Sequence, residues 1–294
     1  PIHIKDNLQL KPEEYVVLLK GVEVGRGDIM TGHHLAIDPG NAEKGLEGIP
    51  TKEPAFGLPA MWVDESMKEQ AKLLGYTVVN PAIVVVTHLT ELIRANSCDI
   101  LTRQDVQTLL DGLAKSHPKV VEELIPTLMS TGSVQKVLKN LLKERIPIRD
   151  ILSIVETLAD FAPLVKDTDR LTDFVRQALA RTITKTLTGA DGTVTVMILD
   201  PAAEEVVMSS IHETEHGTMM ALEPTKAEAL LISISEGMQA MAGEGHQPVL
   251  MTSPEIRRFV KNITERVLPS LIVISSSEIA GNVNIKNYKV VKLS

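Results

Sequence analysis

Apolar residues recur along this chain with two different periods, and the change of period divides it. Val106, Leu109, Leu110 and Leu113 stand at i, i+3, i+4 and i+7. Val134, Val137, Leu138, Leu141 and Leu142 repeat that spacing. So do Ile151, Ile154, Val155 and Leu158, and then Leu171, Phe174, Val175, Ala178 and Leu179. Each set lays an apolar stripe along one helix face, so four amphipathic helices in series are predicted between residues 101 and 185. Thr102 with Asp105 reads as a capping box at the start of the first. Pro118, Pro126, Pro147 and Pro163 fall between helices or at their ends, where a missing N–H is tolerated.

Before residue 101 the pattern shortens to alternation. Ile2 and Ile4 alternate with polar neighbours. Tyr15–Leu19, Val22–Val24 and His34–Ile37 are expected strands, and Asp38-Pro39-Gly40-Asn41 is a turn. Residues 40–50 are glycine-rich and read as loop. Residues 51–62, T-K-E-P-A-F-G-L-P-A-M-W, are denied a regular helix by two prolines and a glycine. Yet they carry Phe56, Leu58, Met61 and Trp62, the only tryptophan. Such a segment is expected to dock on its own fold and to offer an apolar hold to a partner. Asp64 is placed to cap a helix that Gly75 stops. Thr77–Val79 reads as a strand, and Asn80-Pro81 as a helix start. The β-branched run Ile83–Val86 leaves a strand start open as the alternative.

After residue 185 strands and helices alternate. Thr193–Leu199, Pro248–Met251 and Leu271–Ile274 read as strands, with Val283–Val291 as an added edge. Helices start at Pro201, Pro224 and Pro254, the last with Ile256, Phe259, Val260, Ile263 and Val267 on one face. Alternation of this kind implies an α/β layer.

With 44% apolar but only 3% aromatic residues, the core must be built of aliphatic side chains and methionine. A net charge of −8 argues against general binding to nucleic acid or anionic membranes. The single cysteine, Cys98, excludes an internal disulfide. No apolar run approaches the roughly 20 residues that span a bilayer.

The strongest enzymatic pattern is His212-Glu213-Thr214-Glu215-His216, an H-E-x-x-H sequence that on a helix would hold zinc, with Glu236 as a possible third ligand. Its flanks of serine, threonine and glycine form helices poorly, and no apolar stripe buries it. Solvated loop charge is the simpler reading. Gly21, Gly25 and Gly27 imitate a phosphate loop without its following lysine, and turns explain them better. His88 and Glu91, one helical turn apart, suggest a surface hydrogen bond. Arg257, Arg258, Lys261 and Arg266 suggest a solvated basic helix face, suited to an acidic neighbouring subunit. No catalytic set, metal set or cofactor cradle emerges. That points to a binding or assembly module rather than an enzyme.

Several stretches together resemble the flagellar branch of the FHIPEP family of type III secretion export-gate proteins. They are G-V-E-V-G-R-G at 21–27, E-P-A-F-G-L-P-A at 53–60, G-Y-T-V-V at 75–79 and T-H-L at 87–89. V-E-E-L-I-P at 121–126, L-K-N-L-L-K-E-R at 138–145, I-R-D-I-L at 148–152 and E-T-L-A-D at 156–160 continue the likeness. P-V-L-M-T-S-P-E-I-R at 248–257 and P-S-L-I-V-I-S at 269–275 complete it.

The resemblance implies a longer parent with an N-terminal membrane domain, so that Pro1 is a cut end and this part lies on the cytoplasmic face of the bacterial inner membrane. It implies four subdomains: a β-rich first one split into 1–31 and 81–100, an inserted α/β second one at 32–80, a helical third one at 101–185 and an α/β fourth one at 186–294. It also implies a nine-membered ring that receives export chaperones loaded with late substrates and works beside a separate ATPase, without a cofactor. The chaperone site implied is lined by Glu53, Phe56 and Thr87, with Val79 and Val84 completing an apolar dimple and Glu53 at its rim. Glu53 stands where the family more usually has aspartate. Glycines 40, 45 and 48 and prolines 50, 54 and 59 would act as hinges for opening of that cleft. The alternatives are a zinc hydrolase built on His212, Glu213 and His216, and the equivalent platform of a virulence-type secretion system.

Overall fold

The structure, a computed structural model, describes residues 2–214 and 217–293. Lys20 and Gly21 both take positive φ, 51° and 85°, and reverse the chain between β1 (Glu14–Leu19) and β2 (Val22–Asp28). The glycines of β2 lie in the strand, not in turns. Tyr15 sits opposite Gly27, and a Cβ at Gly27 would come within 2.7 Å of the Tyr15 hydroxyl. The glycine is the space that the tyrosine ring needs.

This hairpin belongs to the first of two units, residues 1–100 and 101–294. The unit also holds a mixed-order antiparallel sheet of β3 (His33–Ile37), β4 (Ile49–Lys52), β5 (Pro59–Asp64) and, after helix α1 (Lys68–Leu73), β6 (Thr77–Val79). Its strand order is β4-β5-β3-β6. The long helix α2 (Pro81–Ala95) and the short α3 (Ser97–Ile100) close the unit. Alternation along the strands feeds two small cores. Leu35, Ala60 and Trp62 pack with Val84 of α2, while Ala36 and Val63 pack with Ala71 of α1. Residues 51–62 are therefore not one loop. They are the end of β4, a turn and the start of β5, and Trp62 is a core residue. Asn80 caps α2 by accepting the Ile83 amide at 2.9 Å, and the β-branched run 83–86 is helical. Asp64 makes no capping bond; its carboxylate lies 3.2 Å from the His33 ring instead.

The second unit begins with the helices α4 (Arg103–Ala114), α5 (Pro118–Glu123), α6 (Thr131–Lys143), α7 (Ile151–Phe161), α8 (Thr168–Ala178) and α9 (Ala180–Leu187). Most of the expected stripes are on the inside: Val106, Leu110, Val134, Val137, Leu138, Leu141, Ile154, Val155, Leu158, Leu171 and Val175 are all buried, whereas Leu109 and Ala178 are exposed. The Thr102–Asp105 capping box is formed. Helices α5 and α9 are additional to the expected four; neither has enough turns for its stripe to stand out in the sequence.

The chain then alternates: β7 (Thr193–Leu199), α10 (Pro201–Ser209), the hairpin β8 (Ile211–Thr214) and β9 (Gly217–Met220), α11 (Pro224–Gly243), β10 (Val249–Thr252), α12 (Pro254–Thr264), β11 (Ile272–Ser275) and β12 (Asn284–Val291). Strands β11-β10-β7-β12 form a parallel sheet with β12 at its edge. Both faces are covered, which is why its inner strands read as continuous apolar runs. Val194, Val196, Val249 and Ile274 join the core of the helices, while Met197, Leu199, Leu250 and Val273 meet α10, α11 and α12.

The basic helix α12 is not a solvated face. Arg257 is 3% exposed and holds Glu144 at 2.7 Å and Asp173 at 3.0 Å. Arg176, 2% exposed, donates Nε to Glu278 at 2.9 Å and a terminal nitrogen to Glu144 at 2.9 Å. Burial opposes the charge on Glu144, but Arg176 and Arg257 outweigh it and hold its carboxyl below the ordinary range. For Asp173 burial wins, and its carboxyl is pushed up.

Removing one member strands a buried charge, so Arg176→Ala should cost about 3 kcal/mol or more in urea unfolding. Lys143→Ala, which breaks the half-exposed pair with Glu265, should cost under about 1 kcal/mol. The depressed Glu144 carboxyl gives stability that is whole above its ordinary value of 4.5 and drains away as pH falls through its folded value. Protonation of Asp173 runs the other way. Glu144→Gln should therefore flatten part of the acid limb of the stability curve; an unchanged limb would remove Glu144 from that role.

Candidate functional site

The turn joining β4 and β5 is organised by one carboxylate. Glu53 is only 3% exposed. Its side chain accepts the backbone N–H of Ala55 at 2.8 Å and of Phe56 at 2.7 Å. Its own N–H donates to the Leu58 carbonyl at 2.8 Å, and its carbonyl accepts from Gly57, which takes φ +71°. Amides that a proline-containing turn would leave unpaired are thus satisfied by an ionised acceptor, the strong kind of hydrogen bond. The clamp points the turn's next side chain outward. Phe56 is 62% exposed and Leu58 40% exposed. One short segment therefore sends Trp62 into the core and Phe56 into solvent.

Glu53 is not a carboxylate at a rim. That role was what the family resemblance implied; here two amide donors take the place of water. Val84 is also internal, 2% exposed, in one cluster with Leu35, Ala60 and Trp62, against which Val79 is half-buried. These two valines belong to the core of the unit and not to an open dimple. Thr87, half-buried on α2, stands one residue before the buried His88.

The exposed side of α2 was not picked out in the sequence. Ile83 is 48%, Val86 62% and Ile93 41% exposed, at helical spacings of three and seven. The signal was present. Four consecutive apolar residues, Ile83–Val86, cannot all face one way on a helix, so a helix that buries Val84 must expose some of its neighbours.

His88 does not pair with Glu91, which is taken by Arg94. It is 4% exposed, and its Nδ1 lies 2.8 Å from the Tyr15 hydroxyl, with the rings edge to face. Side chains of α2 pack directly on the β2 backbone here: a Cβ at Gly25 would lie 2.4 Å from Leu92 Cδ1 and 3.1 Å from His88 Nε2. Burial pushes the Tyr15 phenol up to about 12, with the Glu53 charge adding to it. Burial also pushes the His88 imidazole below its usual range, opposed by Glu53.

The H-E-x-x-H reading loses its helix. Residues 211–214 are strand β8, where His212 and Glu213 point to opposite sides and are exposed. Glu215 and His216 lie outside the described residues. Among the described residues no group of three metal-type side chains is assembled. Among them, too, no helix is long and apolar enough to cross a membrane.

Residues 1–284 match the model of the FHIPEP family. The chain is 39% identical over 292 residues to the flagellar biosynthesis protein FlhA of Bacillus subtilis, covering 99% of this chain and 43% of that protein. It is 40% identical over 285 residues to FlhA of Salmonella typhimurium, covering 97% of this chain and 40% of that protein. The chain thus spans less than half the length of these relatives. Among solved structures it is similar to Chlamydia pneumoniae CdsV, with TM-score 0.87 and 28% identity over 97% of this chain and 82% of that one. CdsV in its complex with CdsO gives 0.83, with the same identity and coverage. A nonameric EPEC SctV-C shares the fold, with TM-score 0.76 and 23% identity over 95% of this chain and 84% of that one.

Glu53→Gln keeps only one good acceptor for the two amides and Glu53→Ala keeps none. The alanine variant should cost about 1–3 kcal/mol of stability in chemical unfolding and speed hydrogen exchange at Ala55 and Phe56, with glutamine in between. Unaltered exchange at both amides would mean that the carboxylate does not hold this turn in solution.

Proposed function

The chain belongs to the FHIPEP family, and on that premise we propose that it is the cytoplasmic docking platform of a flagellar type III protein export gate. It receives export chaperones carrying late substrates and passes the cargo on. It does so without breaking a covalent bond. The observation that carries this reading is the 62% exposure of Phe56 on a turn whose amides are fixed from beneath. An apolar ring held out in water is costly for a monomer and useful only when something covers it.

The chemistry suits an apolar helical segment of a chaperone. Covering the Phe56 ring yields roughly 1.5–3 kcal/mol, and the exposed Leu58, Ile83 and Val86 of the same unit extend the apolar area. Thr87 offers a hydroxyl at its margin. Anchors spaced along a partner helix would be read as helix-in-groove recognition. Val79 and Val84 serve by packing the floor, and Glu53 by fixing the turn. In this proposal the platform works on the cytoplasmic face of the bacterial inner membrane. It assembles as a ring, as the nonameric relative does, and meets other export proteins, among them the ATPase complex. The four-subdomain division and movement of the inserted segment 32–80 about its glycines belong to the same proposal.

Near 40% identity to flagellar proteins over almost the whole chain favours the flagellar over the virulence-type platform. Phe56→Ala should weaken binding of a flagellar chaperone–cargo complex by about 2 kcal/mol or more, roughly 30-fold, in calorimetric titration, with the unfolding midpoint unchanged. Equal affinity of the two proteins would displace the site from Phe56. Binding of virulence-system chaperones alone would overturn the flagellar assignment.

A further inference from the structure

The parallel sheet of the second unit ends on an open edge. Strand β12 pairs with β7 on one side and with no strand on the other among the described residues. Its residues 284–287 are all exposed. Neighbours in register share a face of a sheet. Ile285 stands beside Val194, which lies in one core with Ile183 and Leu187 of α9. Ile285 therefore belongs to the face that α9 covers, yet it is 45% exposed. Lys286 and Lys289 stand beside Thr195 and Met197, on the opposite face. There Lys289 Cδ lies 3.7 Å from the place a Cβ would take at Gly237 of α11.

On the α9 side, a groove of about 1040 Å³ leads to the start of this strand. Arg181 and Lys185 of α9 line it, with Ile279, Asn282 and Val283 of the segment that enters β12. Among the described residues no carboxylate lines the groove. Among them, too, Arg181, Lys185, Lys286 and Lys289 have no acidic partner. The acids close by in sequence are engaged. Glu278 is turned inward onto Arg176, Asp191 accepts the Thr193 amide and Asp200 caps α10. Glu244 accepts the Tyr288 hydroxyl. Free cations thus flank one open strand edge in a chain whose net charge is −8.

We propose that residues 284–287 accept an extended acidic segment of another protein as an added strand. Its carboxylates meet Arg181 and Lys185 on one face and Lys286 on the other, and an apolar residue covers Ile285. This site is separate from the Phe56 turn and does not rest on the function proposed for it.

The backbone supplies the affinity. An edge strand presents unpaired N–H and C=O groups, and an added strand satisfies them while its side chains alternate between the faces. The cations supply the choice of partner. Lysine on an edge strand discourages pairing with a like strand, and two copies of β12 side by side would set lysines against lysines. The same charges favour a segment rich in aspartate or glutamate. A bulge sets the length. The register with β7 shifts between Asn287 and Lys289, which leaves Tyr288 out of step. A straight partner strand loses regular pairing there, so the occupied stretch is short, about four residues.

The test uses the whole chain and a labelled, end-capped hexapeptide, D-D-V-D-V-D. Followed by fluorescence anisotropy, binding should saturate below about 1 mM peptide. It should weaken as ionic strength rises from about 50 to about 300 mM. Hydrogen exchange should slow within residues 284–287. The charge-reversed peptide K-K-V-K-V-K should not bind. Methylation of alternate peptide nitrogens keeps every side chain and removes strand donors, and should cost roughly tenfold in affinity or more. Replacing the exposed pair, Arg181→Ala with Lys185→Ala, should also cost roughly tenfold. No binding at about 1 mM, equal binding of the lysine peptide, or full affinity of the methylated peptide would overturn the proposal. So would a second copy taking the edge, seen as concentration-dependent pairing in sedimentation that Ile285→Asp abolishes.

Discussion

Arg176 carries a full charge at 2% exposure, and the second unit is built so that this charge never lacks a partner. Glu278 meets it from the 3-10 turn after β11, and Glu144 from the end of α6. Arg257 from α12 shares Glu144 and adds Asp173 from α8. An isolated charge in such a place would cost several kcal/mol, so these side chains must arrive together or not at all. The apolar core that runs from Val106 to Ile274 would tolerate small slips of helix over sheet. The ionic cluster does not, because bidentate and shared bonds fix direction as well as distance.

The same constraint acts on a smaller scale in the first unit. Glu53 is buried against the amides of Ala55 and Phe56, and this lets an exposed phenylalanine keep a defined position on a turn with a proline and a glycine. A loop tip normally loses more entropy on binding than a strand or helix does. A tip held from beneath has already lost it, which is the usual route to affinity by preorganisation. The acidic residue and the aromatic residue thus belong to one hydrogen-bonded turn.

Tyr15, Gly25, Gly27 and His88 show how the β1–β2 hairpin is joined to α2. Glycine appears in β2 where a tyrosine ring and a helix must come close, a steric reason unrelated to phosphate binding.

Period, caps and turn residues were legible in the amino-acid sequence. The helical stripes, the Thr102–Asp105 box, the Asn80 cap and the parallel strands follow from local rules that operate within a few residues. That residues 51–62 would both dock inward and offer an apolar hold was legible in their composition; that Phe56 is the outward one came only through likeness to a family. What local rules could not show was which polar side chains would be taken out of water. Glu53 was expected at a rim, Arg257 on a wet face and His88 beside Glu91, since each residue alone favours solvent. Their partners lie far along the chain: Tyr15 is 73 residues from His88, and Glu144 is 113 from Arg257. Burial of charge is decided by the meeting of such distant groups, and only the tertiary fold brings them within hydrogen-bonding distance.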